Sequence, residues 1–235
     1  MKLQNKIIVI TGASDGIGKQ ITLRLAKEKT KLALIARDKK RLSETASEAL
    51  NLGAADVKTY TIDLKNTQKL ENISKKIITE FGGVNILINN AGIWQKMMPI
   101  DEIERQTVDE VIQTNLLAPI HLTRLLLPVL RQQKEAAIIN VISKSGIVAQ
   151  LGQSVYTASK YGLRGFTEVL RADLKNTNIK IAGIYQDGTN TNMFKKAKQQ
   201  VDTNSFTEPA DLADVVAYIL TRPPKLWLQD VFVSK

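Results

Sequence analysis

The apolar run Lys6-Ile-Ile-Val-Ile10 leads into Thr11-Gly12-Ala13-Ser14-Asp15-Gly16-Ile17-Gly18, and then into a stretch with apolar Ile21, Leu23, Leu25 and Ala26. Few folds accept that succession. A short, continuous apolar run ending in turn residues reads as a fully buried strand, and apolar positions at helical spacing read as one helix face. A glycine-rich turn between them sets the end of a strand against the start of a helix. Free N–H groups and the helix dipole attract phosphate there. Gly12 serves the tight turn, Gly16 lets backbone approach a pyrophosphate, and Gly18 lets helix and strand pack closely. Ser14, Asp15 and Ile17 lie in the same turn and are candidate contacts for such a ligand. The spacing is G-x-x-x-G-x-G rather than G-x-G-x-x-G. Glycines that merely punctuate a loop are the other reading, and the flanking strand and helix weigh against it.

The remaining elements alternate. Strand-like runs occur near 6–11, 31–36, 57–62, 84–89, 136–142, 179–185 and 230–233, with helical patterns near 17–29, 38–51, 66–81, 101–132, 154–176 and 208–221. Such alternation predicts an α/β fold: a doubly wound, Rossmann-type parallel sheet of seven strands with helices on both faces. No repeat, low-complexity stretch or Pro/Gly-rich linker divides the chain, so residues 1–235 are expected to form one dinucleotide-binding and catalytic domain. Substrate-facing loops then fall at 143–153 and 186–206.

Tyr156 and Lys160 stand four apart on a helical pattern, with Ser143 thirteen residues before the tyrosine. A phenol has an ordinary pKa of about 10, and a cation on the next turn of the same helix face favours its ionised form. A serine hydroxyl from another segment can then hold a substrate oxygen. That trio suits proton transfer to and from a carbonyl or alcohol oxygen.

Composition narrows the classes. There is no cysteine and a single histidine, His121, which excludes thiol catalysis, disulfides and a histidine metal cluster, so no metal is expected. No apolar run has membrane-spanning length, and Met1-Lys-Leu-Gln-Asn-Lys6 lacks the apolar core of a signal peptide. No membrane partner and a cytoplasmic location are the expectation. The net charge of +10 is spread along the chain, with no basic block interleaved with aromatics, so no nucleic-acid partner is expected. A diffuse positive field still favours a polyanionic cofactor.

The glycine turn, Asp63, Asn89-Asn90-Ala91-Gly92, Asn115, Ser143, Tyr156 and Lys160 follow one another in a single order. In these residues the chain resembles the short-chain dehydrogenase/reductase family over most of its length. The resemblance implies a carbonyl or alcohol substrate and a nicotinamide dinucleotide. Ser143 and Tyr156 hold the substrate oxygen, Tyr156 is the acid/base, and Lys160 lowers its pKa and binds the nicotinamide ribose. Asp63, in Thr61-Ile-Asp63-Leu64, matches a residue contacting the adenine ring, with a loop or N-cap aspartate as the alternative. Asn90, Ala91 and Gly92 brace the central strand and line the cofactor side, and Thr189 and Thr191 fall in the segment beside the nicotinamide. Asn115 precedes Pro119 by four positions, so its carbonyl loses a helical N–H partner. In the family the matching asparagine holds a water that relays protons to the lysine.

The second strand ends in Ala36-Arg37 without the acidic residue an NAD site places there, so NADP(H) is favoured over NAD(H). Arg37 paired with Asp38 in solvent is the alternative. Two departures stand out. Asp15 sits where some NADP-binding relatives have a basic residue, and Gln186-Asp187 replaces the usual Pro-Gly, which sets a carboxylate near the nicotinamide or lets the loop swing away. Trp94, Met97, Met98, Leu151, Met193 and Phe194 suggest a partly apolar substrate pocket, although core packing explains any one of them equally. The C-terminal Trp227–Val233 strand resembles the branch acting on small hydroxy acids, pterins or assorted ketones. Homodimerisation through the helices at 101–132 and 154–176 is expected, with a tetramer as the lesser possibility. A sensor or scaffold that binds the dinucleotide without turnover is the alternative function.

Overall fold

A computed structural model describes residues 1–223 and 225–234. Each of the seven strands is parallel to its neighbours: β1 (Ile7–Thr11), β2 (Lys31–Ala36), β3 (Asp56–Thr61), β4 (Ile86–Asn89), β5 (Ala136–Val141), β6 (Ile179–Gln186) and β7 (Asp230–Val233). Their order across the sheet is β3-β2-β1-β4-β5-β6-β7. The chain therefore winds outward from β1 in one direction and from β4 in the other, and the carboxyl ends of β1 and β4 frame the crevice where such sheets bind ligands.

Period-two alternation divides the core. Ile8, Ile10, Leu32, Leu34, Ile86 and Ile88 face helices α1 (Gly16–Ala26), α2 (Lys39–Asn51) and α8 (Pro209–Thr221). Val9, Ala33, Ile35, Leu87 and Ile138 face α3 (Thr67–Phe81), α5 (Ala118–Arg131) and α6 (Ser154–Asp173). Both sets are buried, which is why the strands read as continuous apolar runs rather than alternating ones.

The pattern over 101–132 is not one helix. A 3₁₀ turn (Ile100–Glu102) precedes α4 (Arg105–Ile112), and the helix widens into a π turn over Gln113–Leu117 before α5. Pro119 supplies no N–H to the Asn115 carbonyl, so regular α-helical closure is impossible there. Such π turns cluster at functional sites. The 186–206 loop contains a short helix, α7 (Met193–Lys196), that the sequence pattern did not reveal.

Candidate active site

The turn after β1 folds as the sequence demands. Gly12 has φ +69°, a left-handed conformation, and a Cβ on Gly18 would stand 2.3 Å from the Gly12 carbonyl oxygen. Helix α1 thus rests directly on the turn, and Gly18 serves packing rather than the cleft wall. The Thr11 hydroxyl accepts hydrogen bonds from the backbone N–H groups of Asn90 and Ala91, both 3.0 Å, while Asn90 Nδ2 donates to the Thr11 carbonyl at 2.9 Å. These bonds clamp the ends of β1 and β4 together. Asn89 extends the bracing inward, donating to Asn140 Oδ1 at 2.8 Å.

Beyond the turn opens a cleft of about 550 Å³. Its walls include Gly12, Ser14, Asp15, Gly16 and Ile17 from the turn, Arg37, Asp63 and Leu64 from the ends of β2 and β3, and Asn90, Ala91 and Gly92 after β4. Tyr156, Lys160, Gln186, Thr191 and Met193 line it as well. Of the other sequence-derived candidates, Gly18, Asn115, Ser143 and Thr189 do not line this wall, and Thr189 is buried and makes an isolated parallel bridge with Thr207.

Charges around the cleft are arranged in a way the sequence did not disclose. Asp15 caps α1, its Oδ1 accepting from the Gly16 N–H at 2.8 Å, and its Oδ2 lies 2.7 Å from Lys196 and 3.3 Å from Arg41. Burial raises the pKa of this carboxyl, but the hydrogen bond and charge of Lys196 and the Gly16 N–H outweigh it and hold the group below its ordinary value. Arg37 does not pair with Asp38. Asp38 instead caps α2 and binds Arg41 Nε at 2.6 Å. Arg41 and Lys196 are thus cleft-lining cations that sequence reasoning missed. A basic residue one turn inside α2 was the only available hint of the first. Asp63 is no helix cap: Asn66 fills that role, and Asp63 Oδ1 accepts from the Lys65 N–H at 3.0 Å.

At the inner end of the cleft, Tyr156 is the third residue of α6 and Lys160 follows one turn later. Lys160 Nζ lies 5.8 Å from the Tyr156 ring centroid and donates to the Val141 carbonyl at 3.1 Å. Ser143, just beyond β5, lies beside the phenol and draws its pKa down. Its φ of +153° is a strained conformation for a non-glycine residue, of the kind that surrounding structure imposes at functional sites. Burial pushes Tyr156 up to about 12, with Ser143 opposing, and pushes Lys160 down to about 7. Desolvation sets the direction of both shifts, because a dry environment penalises both charged forms.

Residues remote in sequence fix this end. Gln95 is buried, and its Oε1 accepts from the Tyr156 N–H at 2.9 Å. It satisfies one of the free donors in the first turn of α6, whose cap residue Gln153 does not. Asn115 Oδ1 accepts from the Ile93 N–H at 2.8 Å, and its Nδ2 donates to the Ile93 carbonyl and to Ser159 Oγ. Its side chain thus ties the 93–98 loop to α6. Asp187 turns away from the cleft wall to an ion pair with Lys144, 2.9 Å. The Asp187 carboxylate is thus paired with Lys144. Gln186 continues β6, pairing with Val233, and its buried Oε1 has no hydrogen-bond partner among the described residues.

Aromatic rings cover the tyrosine. The Trp94 ring lies 4.5 Å from that of Tyr156, Phe194 meets Trp94 edge-on at 5.0 Å, and Phe206 follows Phe194 at 6.0 Å. Tyr156 is 4% exposed as a result. Leu151, by contrast, is 97% exposed and is not on the cleft wall. Among the described residues no group of His, Cys, Asp and Glu could hold a metal ion, and no helix is long and apolar enough to cross a membrane.

Comparison with known proteins agrees with this geometry. The family model described as short chain dehydrogenase matches residues 6–202. An NADP-dependent 3-hydroxy acid dehydrogenase of Schizosaccharomyces pombe is 31% identical, over 99% of this chain and 93% of the relative. A 3-oxoacyl-(acyl-carrier-protein) reductase of Thermotoga maritima is 28% identical, over 93% and 92%. The crystal structure of a metagenomic short-chain oxidoreductase in complex with NADP superposes with a TM-score of 0.87 at 26% identity, covering 100% of this chain and 98% of the other. The chain belongs to the short-chain dehydrogenase family of oxidoreductases.

Proposed function

We propose that this protein is an NADP(H)-dependent oxidoreductase that interconverts a carbonyl and an alcohol. The observation that carries the reading is that Tyr156 and Lys160 line the same cleft as the glycine turn, with Ser143 beside the phenol. The cleft suits a dinucleotide. A Cβ on Gly92 would stand 3.6 Å from Lys160 Nζ and narrow it, and Gln186 Oε1 is an acceptor still without a donor. The N-terminus of α1 and the turn would hold the pyrophosphate, Asp63 and Leu64 the adenine, and Arg37 and Arg41 a 2′-phosphate. Gly92, Thr191 and Lys160 would flank the nicotinamide ribose and ring. The NADP-named relative and the NADP complex of the related structure support that preference.

The coenzyme, when bound, supplies or accepts the hydride. The chain's own groups handle the oxygen and its proton. Ser143 and Tyr156 hydrogen-bond the substrate oxygen, and the Tyr156 hydroxyl gives up its proton as the carbonyl becomes an alcohol. A protonated Lys160 one turn away stabilises the phenolate left behind. Asn115, in the π turn, is the residue through which we route protons between Lys160 and solvent. Homodimerisation through α4, α5 and α6 is part of the proposal, supported by exposed Leu117, Tyr161 and Val169. An NADPH titration paired with NADPH oxidation over ketones and aldehydes tests the function. Binding with turnover that Tyr156→Phe abolishes is the expected result. Binding without turnover would leave a dinucleotide sensor.

A further inference from the structure

Among the described residues the cations on the cleft wall are Arg37, Arg41, Lys160 and Lys196. Lys160 belongs with Tyr156, and Arg37 makes no ion pair with a described residue. The other two point at one atom. Asp15 Oδ2 lies 2.7 Å from Lys196 Nζ and 3.3 Å from Arg41 Nη1, and Asn192 Nδ2 is 3.5 Å away. The other oxygen of that carboxylate accepts from the Gly16 N–H at the start of α1. A helix N-terminus, a guanidinium and an ammonium are the groups with which proteins hold phosphate. Here all three converge on the chain's own carboxylate, and Asp15 is itself on the cleft wall.

Arg41 feels this most. Its Nε donates to Asp38 at 2.6 Å and its Nη1 to Asp15, so two of its three nitrogens face carboxylates. Asp38 is held in place as the cap of α2, accepting from the Arg41 N–H at 3.0 Å. A phosphate approaching the guanidinium must take donors from Asp15 and bear the repulsion of a like charge a few ångströms away. Of the two nicotinamide coenzymes only NADP(H) carries the 2′-phosphate for which an arginine beside the second strand is the natural partner.

We propose that Asp15 is a specificity-determining residue of the coenzyme site: its carboxylate competes with the 2′-phosphate for Arg41 and Lys196 and so restrains the preference for NADP(H) over NAD(H). The inference rests on the coenzyme reading given above and deepens it. Arg37, with no carboxylate to satisfy, carries most of the preference in the wild type, and Arg41 adds what Asp15 leaves to it.

Adenosine 2′,5′-bisphosphate and adenosine 5′-monophosphate differ only in the 2′-phosphate, and their binding is read by calorimetry without any turnover. The proteins are the wild type, Asp15→Asn, Asp15→Ser, Arg41→Ala and the double variant Asp15→Asn/Arg41→Ala. Asparagine and serine cap a helix as well as aspartate does, so both single replacements at 15 remove the charge and keep α1. Each should tighten the bisphosphate about tenfold, the worth of one hydrogen bond to a charged group, and the monophosphate by no more than about twofold. In the Arg41→Ala background the gain should shrink to about threefold or less, because only Lys196 remains to be released. Unchanged or weakened bisphosphate binding, equal tightening of both nucleotides, or a full gain without Arg41 overturns the proposal. So does failure of every protein to bind either nucleotide. Wild-type turnover with NADPH, measured alongside, separates the two readings. If turnover is present and bisphosphate affinity ignores Asp15, the proposed function stands and only this inference falls. The expected gains in a protein without turnover uphold it while removing the catalytic function.

Discussion

Lys160 is the buried group whose removal has the clearest calculable consequence. Burial holds its folded pKa at about 7 against an ordinary 10.5. Below 10.5 the unfolded chain binds this proton, whereas the folded chain has largely released it once pH exceeds about 7. Stability therefore rises with pH across that window, by at most about 1.4 kcal/mol per pH unit. Between about pH 7.5 and about pH 9.5 the gain from this one group is about 2.5 kcal/mol. The raised pKa of Tyr156 acts oppositely, but only above its unfolded value of 10.0 and so outside the range. The assay is urea unfolding of the coenzyme-free wild type and Lys160→Met at both pH values. Methionine preserves the length of the chain without the titrating group, so common contributions such as the lowered N-terminal amine cancel in the difference. The wild type should gain about 2–3 kcal/mol on the variant as pH rises. Parallel stabilities at the two pH values would show that Lys160 keeps its proton in the fold, and the desolvation argument would be wrong.

Three further substitutions probe the frame around the cleft. Gly18→Ala places a methyl group 2.3 Å from the Gly12 carbonyl oxygen, so α1 must lift from the turn. A loss of about 1–3 kcal/mol in a thermal melt and weaker NADPH binding are expected, and unchanged affinity would deny the turn its role. Arg41→Ala removes a guanidinium from the cleft wall and should lower the NADPH-to-NADH ratio of kcat/KM several-fold, with the Arg37→Ala variant as the comparison. Gln95→Leu leaves the buried Tyr156 N–H without its 2.9 Å acceptor. It should cost about 1–3 kcal/mol in urea unfolding, together with a fall in kcat.

Local signals revealed what local physics determines. The strands, the glycine turn and the Tyr156–Lys160 spacing are each settled within a few residues, so all seven strands followed from the sequence. The break at 113–117 was half visible, since Pro119 announces a missing N–H but not that a π turn absorbs it. The electrostatics were not legible. Asp15 and Lys196 are 181 positions apart and Lys144 and Asp187 are 43 apart, so each carboxylate looked isolated until the fold paired it. Gln95 gave no sign either, because a glutamine that caps a distant helix looks like any loop glutamine. The burial of Tyr156 was not legible, because helix spacing supplies the neighbouring cation but not the depth at which the pair sits. That depth comes from Trp94 and Phe194, which arrive from two other loops.

This burial has a kinetic consequence. With a phenol at about 12 and a lysine at about 7, the closed site near neutrality holds a protonated tyrosine beside a lysine close to its midpoint. In the proposed reaction, reduction of a carbonyl would remove the phenolic proton and leave an anion in dry surroundings, which is favourable only when Lys160 is charged at that moment. Oxidation of an alcohol starts from the opposite state and gains as protons are withdrawn. The kcat/KM for reduction under saturating NADPH should therefore fall as pH rises through the neutral range, while the oxidation rate rises. Arginine keeps its charge throughout this range, so a folded Lys160→Arg variant, even if slow, should lose the falling limb for reduction. A reduction limb that persists in Lys160→Arg would place the titrating group elsewhere, and the lysine would then be a structural cation rather than the partner of Tyr156.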